Sequence, residues 1–583
     1  MALPPEKGLE MSKRIVSAAL AATAAAVVGV SASAADKNYT LTDLNELNDG
    51  LLGRSDIRGE YDLDADGKVD GFDMVLMRQS ISGQTRERME YVYDAVEENV
   101  NLIGRNLYSD GVTWLVQSGS AVEFNVSAFS AGVTLNGDSG IRNGAEYAPR
   151  YAVLLDDEVI FDDVLTEKTR TIELFSGTEI RNAKVKVIHL SEANNGAIGV
   201  SQIRVDSTSM FPVLPTPEKD LHIEFIGDSI TCAYGVEGAD QNENFKTTTE
   251  NFMKSYAYIA AQKLNAEYSA VCYSGYGIIS GYTTGAKNEG SLMPDCYEYI
   301  GRMINYKVPW DFSSVKNDVV VINLGTNDSS YIDQDFDSRS PEFTVKYEEF
   351  LETVREKNPD AYIICTVGTM GAENEYPLIE EAVENFRKKT GDQRVSCYWS
   401  VTHTQADGFG SDWHPNEGTQ RRSAYVLADK ICQALGMESD QIGLDVAAES
   451  VYNMNCDESS GANAASYFSD YNRSFWMNTV TGGSEPDDIE AVISPIGLKK
   501  NGEYDLSFKI KAPDGMKIPV LVRSKDGSRT YFSGITTGTG EDSFFTRKFT
   551  CDTDDASAEI AVQIGGKDYS NVTLSELRME KIG

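Results

Sequence analysis

The chain has 583 residues, of which 41% are hydrophobic, so it is long enough to bury several separate cores. Its 90 acidic residues outnumber its 52 basic residues and give a formal net charge of −38. A field of this sign repels phosphate backbones and anionic lipid, so we expect neither nucleic acid nor a membrane surface as a partner.

The N-terminus has the pattern of a secretory signal peptide. Lys13 and Arg14 form a short basic region, residues 15–30 are apolar and rich in alanine and valine, and residues 32–34 read Ala-Ser-Ala before a cleavage site. A membrane anchor is the alternative, but the apolar stretch is short for one. We therefore predict that residues 1–34 are a signal peptide and that the protein is secreted and extracellular.

An acidic loop between two predicted helices has the spacing of a calcium site. Carboxylates occupy positions 1, 3, 5, 9 and 12 of this loop, Gly67 permits a sharp turn at position 6, and the backbone carbonyl of Lys68 is available at position 7. Oxygen atoms in this order can surround a Ca²⁺ ion. The predicted ligands are Asp62, Asp64, Asp66, Lys68, Asp70 and Asp73.

The next part of the chain has the alternation of a β domain. Residues 84–99 are charged and predict a helix-prone linker, whereas short alternating strands separated by turns such as Asn136-Gly137 follow from residue 100 to 212. This pattern predicts a β-sandwich.

From residue 218 to 437 the pattern changes to alternating strands and helices. Buried strands are predicted at 222–226, 270–272, 319–324 and 362–367, with helical spacing between several of them. This order predicts a three-layer α/β domain with a parallel sheet. Residues 445–583 return to alternating strands and predict a second β-sandwich, with carbohydrate binding as its candidate role.

Three short motifs in the α/β region carry the chemistry. Gly227-Asp228-Ser229 follows the first strand, Asn327-Asp328 follows a later strand, and Asp412-Trp413-His414 stands near the end of the domain. A serine hydroxyl becomes a good nucleophile only when a base removes its proton. His414 is the best candidate base among the four histidines, and His403 is the alternative.

These motifs resemble those of the SGNH, or GDSL-type, hydrolases over residues 221–436. The preceding β domain, the GDSITCAYG run at 227–235 and the Trp-His pair are similar to carbohydrate esterase family 2, whose members pair a jelly-roll domain with an SGNH domain and deacetylate xylan or related sugars. The resemblance implies that Ser229 is the nucleophile. It also implies oxyanion donors from the Ser229 N–H, the Asn327 amide and a glycine N–H, for which counting from the strand end favours Gly277 and leaves Gly275 as the alternative.

The third member of the triad departs from the family pattern. SGNH enzymes commonly place an aspartate three residues before the histidine, but this position is Ser411 here, and Asp412 lies only two residues before His414. Either Asp412 orients the imidazole, or a backbone carbonyl does so in a Ser-His dyad. Trp413 either stacks on a sugar ring or packs the loop, and Asp228 is expected to cap local N–H groups.

The calcium loop and its flanking helices resemble a type I dockerin over residues 36–83. The resemblance implies one structural Ca²⁺ and binding to a cohesin of a cellulosome scaffold. The first half of the segment lacks a second set of ligands, so a second calcium site is not expected with the same strength.

We therefore predict a multidomain protein in which the α/β SGNH domain is flanked by β-sandwich (jelly-roll) domains and preceded by a small α-helical dockerin. The predicted function is a secreted carbohydrate esterase that removes O-acetyl groups from xylan or glucomannan through an acyl-serine, with no cofactor for catalysis. A lipase or thioesterase on the same fold, and a non-catalytic carbohydrate-binding subunit, are the alternatives. Eight scattered cysteines leave room for one or two disulfides without indicating a pairing.

Overall fold

The computed structural model describes most of the chain, namely residues 39–51, 58–63, 69, 71–82, 85–405, 407–469 and 473–583. The predicted signal peptide and four of the predicted calcium ligands, Asp64, Asp66, Lys68 and Asp70, lie outside these residues. The described chain divides into two compact units. One contains the residues up to 238 together with 242–399, and the other contains 239–241 together with 400–583.

Two short helices open the first unit: α1 (Leu41–Leu51) and α2 (Gly71–Ser82). Their apolar side chains share one small core, in which Leu47, Met77 and Ile81 are fully buried. The ends of the loop between them are tied together, because the Leu63 N–H donates to the buried Asp73 carboxylate at 2.5 Å. Two of the predicted calcium ligands, Asp62 and Asp73, therefore lie at the two ends of a closed loop.

The next ten strands form the N-terminal β domain. They are β1 (Thr85–Tyr93), β2 (Asn101–Ile103), β3 (Asn106–Ser109), β4 (Val112–Leu115), β5 (Ala121–Gly137), β6 (Arg150–Leu155), β7 (Glu158–Val164), β8 (Thr169–His189), β9 (Ile198–Ser209) and β10 (Val213–Pro215). The strand order is β3-β4-β9-β5-β8-β6-β7, with β1 beside β9 and with β2 and β10 beside β5.

These strands form one continuous antiparallel sheet, a half-barrel, where the sequence predicts a two-sheet jelly roll. The reason lies in β5 and β8, which have 17 and 21 residues and pair along nearly their whole length. The register shifts between Ala128 and Ser130 and again between Ala131 and Gly132. Bulges of this kind bend a strand, so the same two strands can serve both halves of a curved sheet.

The predicted helix-prone linker at 84–99 is wrong, because most of this segment is strand β1. It pairs antiparallel with β9, with Tyr91 opposite Val205. The rings of Tyr91 and Tyr93 pack against the core of the β domain, and the Arg88 guanidinium pairs with Asp206 at 2.7 Å. The charged residues that suggest a helix stand on the exposed side of an edge strand.

The α/β domain follows in the same unit. Its elements are β11 (Leu221–Gly227), α3 (Ser229–Cys232), α4 (Tyr256–Lys263), β12 (Ala266–Cys272), β13 (Val319–Asn323), α5 (Thr326–Ile332), α6 (Phe336–Lys357), β14 (Tyr362–Val367), α7 (Glu375–Thr390) and β15 (Val395–Trp399). The strand order is β12-β11-β13-β14-β15, and every neighbouring pair is parallel, so the predicted parallel α/β domain is confirmed. The fifth strand, β15, is largely half-buried and was not predicted.

Strand register places the motifs at one edge of this sheet. Gly227, the last residue of β11, lies opposite Cys272 of β12 and Asn323 of β13. Because the strands are parallel, the segments that follow these three residues all leave the sheet at its carboxyl edge. Ser229, the glycine-containing loop after Cys272, and Asn327 therefore emerge from neighbouring strands.

The second unit contains helix α8 and a C-terminal β-sandwich. Its elements are α8 (Glu417–Leu435), β16 (Val451–Cys456), β17 (Asn463–Ser469), β18 (Ser474–Thr481), β19 (Ile489–Leu498), β20 (Glu503–Lys511), β21 (Lys517–Arg523), β22 (Thr530–Thr537), β23 (Asp542–Thr550), β24 (Asp555–Gln563) and β25 (Asn571–Lys581). The two antiparallel sheets have the orders β16-β19-β24-β21-β22 and β17-β18-β25-β20-β23 and share one apolar core. The predicted C-terminal sandwich is confirmed.

All eight cysteines fall within the described residues, and none of them forms a disulfide. Of the helices in the described part of the chain, none combines the length and the apolar character needed to cross a membrane.

Candidate active site

Ser229 stands at the first position of α3, directly after β11. The turn between them is tight, since a Cβ added at Gly227 would lie 2.0 Å from Thr231 Oγ1. Asp228 caps the helix as predicted, because its Oδ1 accepts a hydrogen bond from the Ile230 N–H at 3.0 Å. This local structure holds Ser229, which is 7% exposed, at the carboxyl edge of the sheet.

Asn327 is connected to the serine turn by hydrogen bonds. It lies in the first turn of α5, after Gly325, whose φ of +129° allows the chain to leave β13 and enter the helix. Its Nδ2 donates to Asp228 Oδ2 at 3.2 Å and to the carbonyl of Tyr276 at 2.9 Å. The structure therefore brings two of the three sequence motifs together, with Asn327 only 8% exposed.

The carboxyl group of Asp228 has a strongly altered acidity. Burial raises its pKa to about 7, and the nearby Asp328 adds to the increase, although the Ile230 N–H acts in the opposite direction. A carboxyl group with this pKa is partly protonated at neutral pH. The bond from Asn327 to Asp228 is therefore weaker than a bond to a permanently charged carboxylate.

Asp328 holds the loop that follows β12. Its buried carboxylate accepts hydrogen bonds from the backbone N–H groups of Ile278, Ile279 and Ser280 at 2.7 to 3.0 Å. Burial raises its pKa to about 6, even though these N–H groups favour the charged form. The motif includes this residue, but its role as an anchor was not predicted.

The two candidate oxyanion glycines differ in their surroundings. The Gly277 N–H already donates to the Ser291 carbonyl at 3.1 Å, and an added Cβ would lie 2.1 Å from the Ser280 carbonyl oxygen. Gly277 therefore serves close packing. Gly275 has a φ of +82°, an added Cβ there would meet nothing within 4 Å, and its N–H makes no hydrogen bond among the described residues. These surroundings favour the alternative, Gly275, and the identity of the donor stays a prediction.

Glu192 is a supporting residue that the sequence analysis missed. It comes from the N-terminal β domain, and its buried carboxylate accepts a hydrogen bond from the Ser274 N–H at 2.8 Å. Burial raises the pKa of Glu192 above its ordinary value. No local signal marks this residue, because it lies far from the loop in sequence and reaches it only through domain packing.

His414 lies in the second unit, where a backbone carbonyl holds its ring. Nδ1 is 3.1 Å from the carbonyl oxygen of Asp412, so the Nδ1–H donates and Nε2 is the ring nitrogen that carries the lone pair of a base. The φ angles of Asp412 and Trp413 are +49° and +67°, which gives this short turn its shape. Burial lowers the pKa of His414 to about 4, so the imidazole is neutral, as a general base must be, in weakly acidic and neutral solution.

The loop between β15 and α8, which contains His414 and is called the histidine loop below, also contains two aromatic contacts. The Phe409 ring is 4.8 Å from the His403 ring and 5.1 Å from the Trp413 ring. Burial lowers the pKa of His403, whose Nδ1 has no partner among the described residues. Trp413 packs against Phe409 and is still 56% exposed, so both roles left open for this ring are compatible with its position.

Three known families match successive parts of the chain. Residues 102–217 match "Carbohydrate esterase 2 N-terminal", residues 225–422 match the "GDSL-like Lipase/Acylhydrolase family", and residues 451–571 match "Carbohydrate binding domain". The solved structure of a family two carbohydrate esterase from Clostridium thermocellum, in complex with cellohexaose, is 30% identical with a TM-score of 0.50. The alignment covers 58% of this chain and 99% of that chain. The chain belongs to carbohydrate esterase family 2.

Two relatives of this family 2 esterase are known by name. The cellulase/esterase CelE of Acetivibrio thermocellus is 34% identical over 326 residues, which are 55% of this chain but only 37% of CelE. An acetylxylan esterase/glucomannan deacetylase of Cellvibrio japonicus is 25% identical over 314 residues, which are 53% of this chain and 83% of that protein. The predicted SGNH-type carbohydrate acetylesterase is confirmed, and the C-terminal sandwich is a carbohydrate-binding domain.

Proposed function

We propose that this family 2 esterase removes O-acetyl groups from acetylated plant polysaccharides such as xylan and glucomannan. The observation that carries the proposal is the serine turn at Ser229, connected to the Asn327 amide through Asp228. Its support is the family membership, the C-terminal carbohydrate-binding domain, and the similarity to the acetylxylan esterase/glucomannan deacetylase of Cellvibrio japonicus.

The proposed reaction has two steps. The Ser229 Oγ attacks the acetyl carbonyl carbon while His414 Nε2 takes the hydroxyl proton, and His414 then gives this proton to the departing sugar oxygen. Water attacks the acetyl-serine with His414 again as the base, which releases acetate and restores the serine. The negative charge on the carbonyl oxygen in each step would be stabilised by N–H donors from Asn327, Gly275 and Ser229 itself.

Substitution of the serine tests the nucleophile. We expect Ser229→Ala to lose nearly all hydrolysis of a nitrophenyl acetate ester while its melting temperature stays unchanged. Ser269→Ala is a matched control, because Ser269 lies on β12 and its buried Oγ has no partner among the described residues. Residual activity above about a tenth of wild type in a folded Ser229→Ala protein would remove Ser229 from this role.

Acyl-chain length separates the proposed function from its rivals. We expect acetyl esters to be hydrolysed faster than octanoyl esters, and acetate to be released from acetylated xylan or glucomannan. Faster turnover of octanoyl esters would favour the lipase or thioesterase alternative. Polysaccharide binding without any release of acetate would favour the non-catalytic subunit.

We also propose that residues 36–83 form a dockerin that binds Ca²⁺ and a cohesin. The described part of the segment supports this, because α1 and α2 share a core and the buried Asp73 carboxylate closes the loop through the Leu63 N–H. Asp62 and Asp73 would hold the ion together with Asp64, Asp66, Asp70 and the Lys68 carbonyl, which lie outside the described residues. Oxygen atoms of this kind suit a hard cation, and the ion would stiffen the loop.

The proposed location is extracellular and cellulosome-associated. It rests on the signal-peptide pattern of residues 1–34 and on the proposed dockerin. N-terminal sequencing of the protein from the culture medium would test it, and we expect a mature chain that starts close after Ala34.

A further inference from the structure

An ion cluster with a buried carboxylate at its centre lies in the second unit, around Asp407. The carboxylate of this residue is only 3% exposed. Its Oδ2 accepts hydrogen bonds from both the N–H and the hydroxyl of Thr404 at 2.9 Å and lies 2.9 Å from Arg422 Nη2. Its Oδ1 accepts a hydrogen bond from Arg578 Nη2. Burial acts to raise the pKa of Asp407, but the two guanidinium groups outweigh it and keep the pKa below its ordinary value.

The three charged groups come from three different elements. Asp407 lies in the loop that leads to His414, Arg422 lies on α8, and Arg578 lies on β25, the last strand of the sandwich. Asp407 falls inside the part of the chain that matches the GDSL-like family, whereas Arg578 lies beyond the part that matches the carbohydrate-binding domain. The cluster therefore connects the histidine loop to the C-terminal end of the chain.

Separate hydrogen bonds hold the chain before and after His414. The Asp407 carbonyl accepts from Asn416 Nδ2 at 2.7 Å, and Asn416 Oδ1 caps α8 by accepting from the Thr419 N–H at 3.1 Å. Within the loop, the Gly410 N–H donates to the His414 carbonyl at 2.8 Å. Displacement of Asp407 would therefore move residues on both sides of the histidine.

We propose that Arg578 is a positioning residue, through which the C-terminal sandwich holds the Asp407 loop and, with it, the ring of His414. This inference rests on the proposed function, since it takes His414 as the general base. The physical reason is that a buried carboxylate with two guanidinium partners stays in one place, whereas loss of one partner leaves its charge partly uncompensated. A loop that relaxes by even a fraction of an ångström misaligns the base.

The expected kinetic signature differs from that of lost substrate binding. General-base geometry matters in the transition state, so Arg578→Ala should lower kcat about tenfold and change KM by less than about twofold on a nitrophenyl acetate ester. Arg578→Lys keeps the positive charge but lacks the planar guanidinium group, so its kcat should lie between those of Arg578→Ala and the wild type. Asp407→Asn should lower kcat by at least a similar factor, and the double variant should lose much less than the product of the two factors, because both changes remove the contact between Arg578 and Asp407.

The experiment uses the full chain, with Arg529→Ala as the matched control. Arg529 is an exposed arginine of the same sandwich, and it pairs with the exposed Asp552 at 2.6 Å. Kinetics are measured at a temperature where every variant is folded by circular dichroism. If Arg578→Ala does not fold, Arg578→Lys and Asp407→Asn decide: a reduced kcat with unchanged KM supports the proposal, and wild-type kcat in both overturns it.

A kcat of Arg578→Ala within twofold of the Arg529→Ala value would overturn the inference, and so would an effect on KM alone. The proposed function fails separately, when Ser229→Ala or His414→Ala keeps wild-type activity. An inactive Ser229→Ala combined with a fully active Arg578→Ala would leave the proposed function standing and reject only the role of Arg578.

Discussion

The side-chain amide of Asn327 has two N–H groups, and both donate hydrogen bonds in this structure. One N–H donates to the Tyr276 carbonyl at 2.9 Å and the other to Asp228 at 3.2 Å. An oxyanion is a better acceptor than the partly protonated Asp228 carboxyl group, so the longer bond is the one we expect Asn327 to exchange during the reaction. Its amide then acts mainly on the transition state.

We predict that Asn327→Ala lowers kcat about a hundredfold with little change in KM, because its amide meets full negative charge only in the transition state. Initial rates on a nitrophenyl acetate ester over a range of concentrations measure both constants. Asn317→Ala is a suitable control, since Asn317 precedes β13 at the opposite edge of the sheet and bonds Asn358 at 2.9 Å. A change confined to KM would show that Asn327 only holds substrate.

The hydrogen bond from His414 Nδ1 goes to the backbone carbonyl of Asp412, at 3.1 Å. We therefore predict that Asp412→Asn costs at most about tenfold in kcat, against a near-total loss in His414→Ala, whereas a full triad would lose up to about ten-thousand-fold. Asparagine is the appropriate replacement because it tolerates the positive φ of this position. Equal and near-complete losses in the two folded variants would show that the Asp412 carboxylate completes a triad.

At the scale of elements, the loop after β12 is held from two sides. Asp328 of α5 binds the N–H groups of residues 278–280, and Glu192 of the N-terminal β domain binds the Ser274 N–H. The candidate donor Gly275 lies between these two anchors. The loop is thus preorganised by a helix on one side and by a neighbouring domain on the other, and oxyanion stabilisation depends on this kind of fixed geometry.

We predict that Asp328→Asn lowers the free energy of unfolding by about 2 kcal/mol, because a carboxamide loses acceptor capacity for three buried N–H groups. The esterase kcat should fall as well, since the loop that presents Gly275 loosens. Urea unfolding and initial rates measure the two effects. Asp333→Asn, at the exposed end of the same helix, should change neither. Wild-type stability in Asp328→Asn would contradict the anchoring role.

At the scale of the whole molecule, the proposed esterase mechanism and the proposed calcium site lie in different parts of the chain. The mechanism uses residues of the α/β domain and His414 and involves no metal ion, whereas the calcium site lies in the segment that contains α1 and α2. These two helices share a small core in which Leu47 and Met77 are fully buried and against which Met210 and Phe211 pack. The calcium loop and the serine turn are therefore expected to respond separately to removal of the ion.

We predict that chelation of Ca²⁺ leaves the esterase activity of the full chain within about twofold and abolishes binding to a cohesin, because the ion stiffens only its own loop. Calorimetric titration of the chelated chain with Ca²⁺ should show one site. Asp73→Ala should lose this heat and keep the activity. Absence of calcium uptake by the wild-type chain would refute the proposed dockerin, and loss of activity on chelation would refute its independence.

The local parts of the fold and the site could be predicted from the sequence. The positions of Ser229 and Asn327 follow from buried runs that end just before them, and parallel strands bring their carboxyl ends to one edge. Asp228 was predicted as a cap because a capping side chain bonds an N–H two residues on. His414 could be identified in the same way, because the family motif that contains it is a short and continuous stretch of the sequence.

Only the tertiary structure decided which groups meet across long sequence separations. The choice between Gly275 and Gly277 depends on Ser291, which takes the Gly277 N–H. Strand β1 could not be recognised in the sequence, because an edge strand needs only one apolar face and is stabilised by pairing with a distant strand, here β9. Glu192 and Arg578 leave no local pattern, because a buried polar contact is determined by the partner that packing supplies.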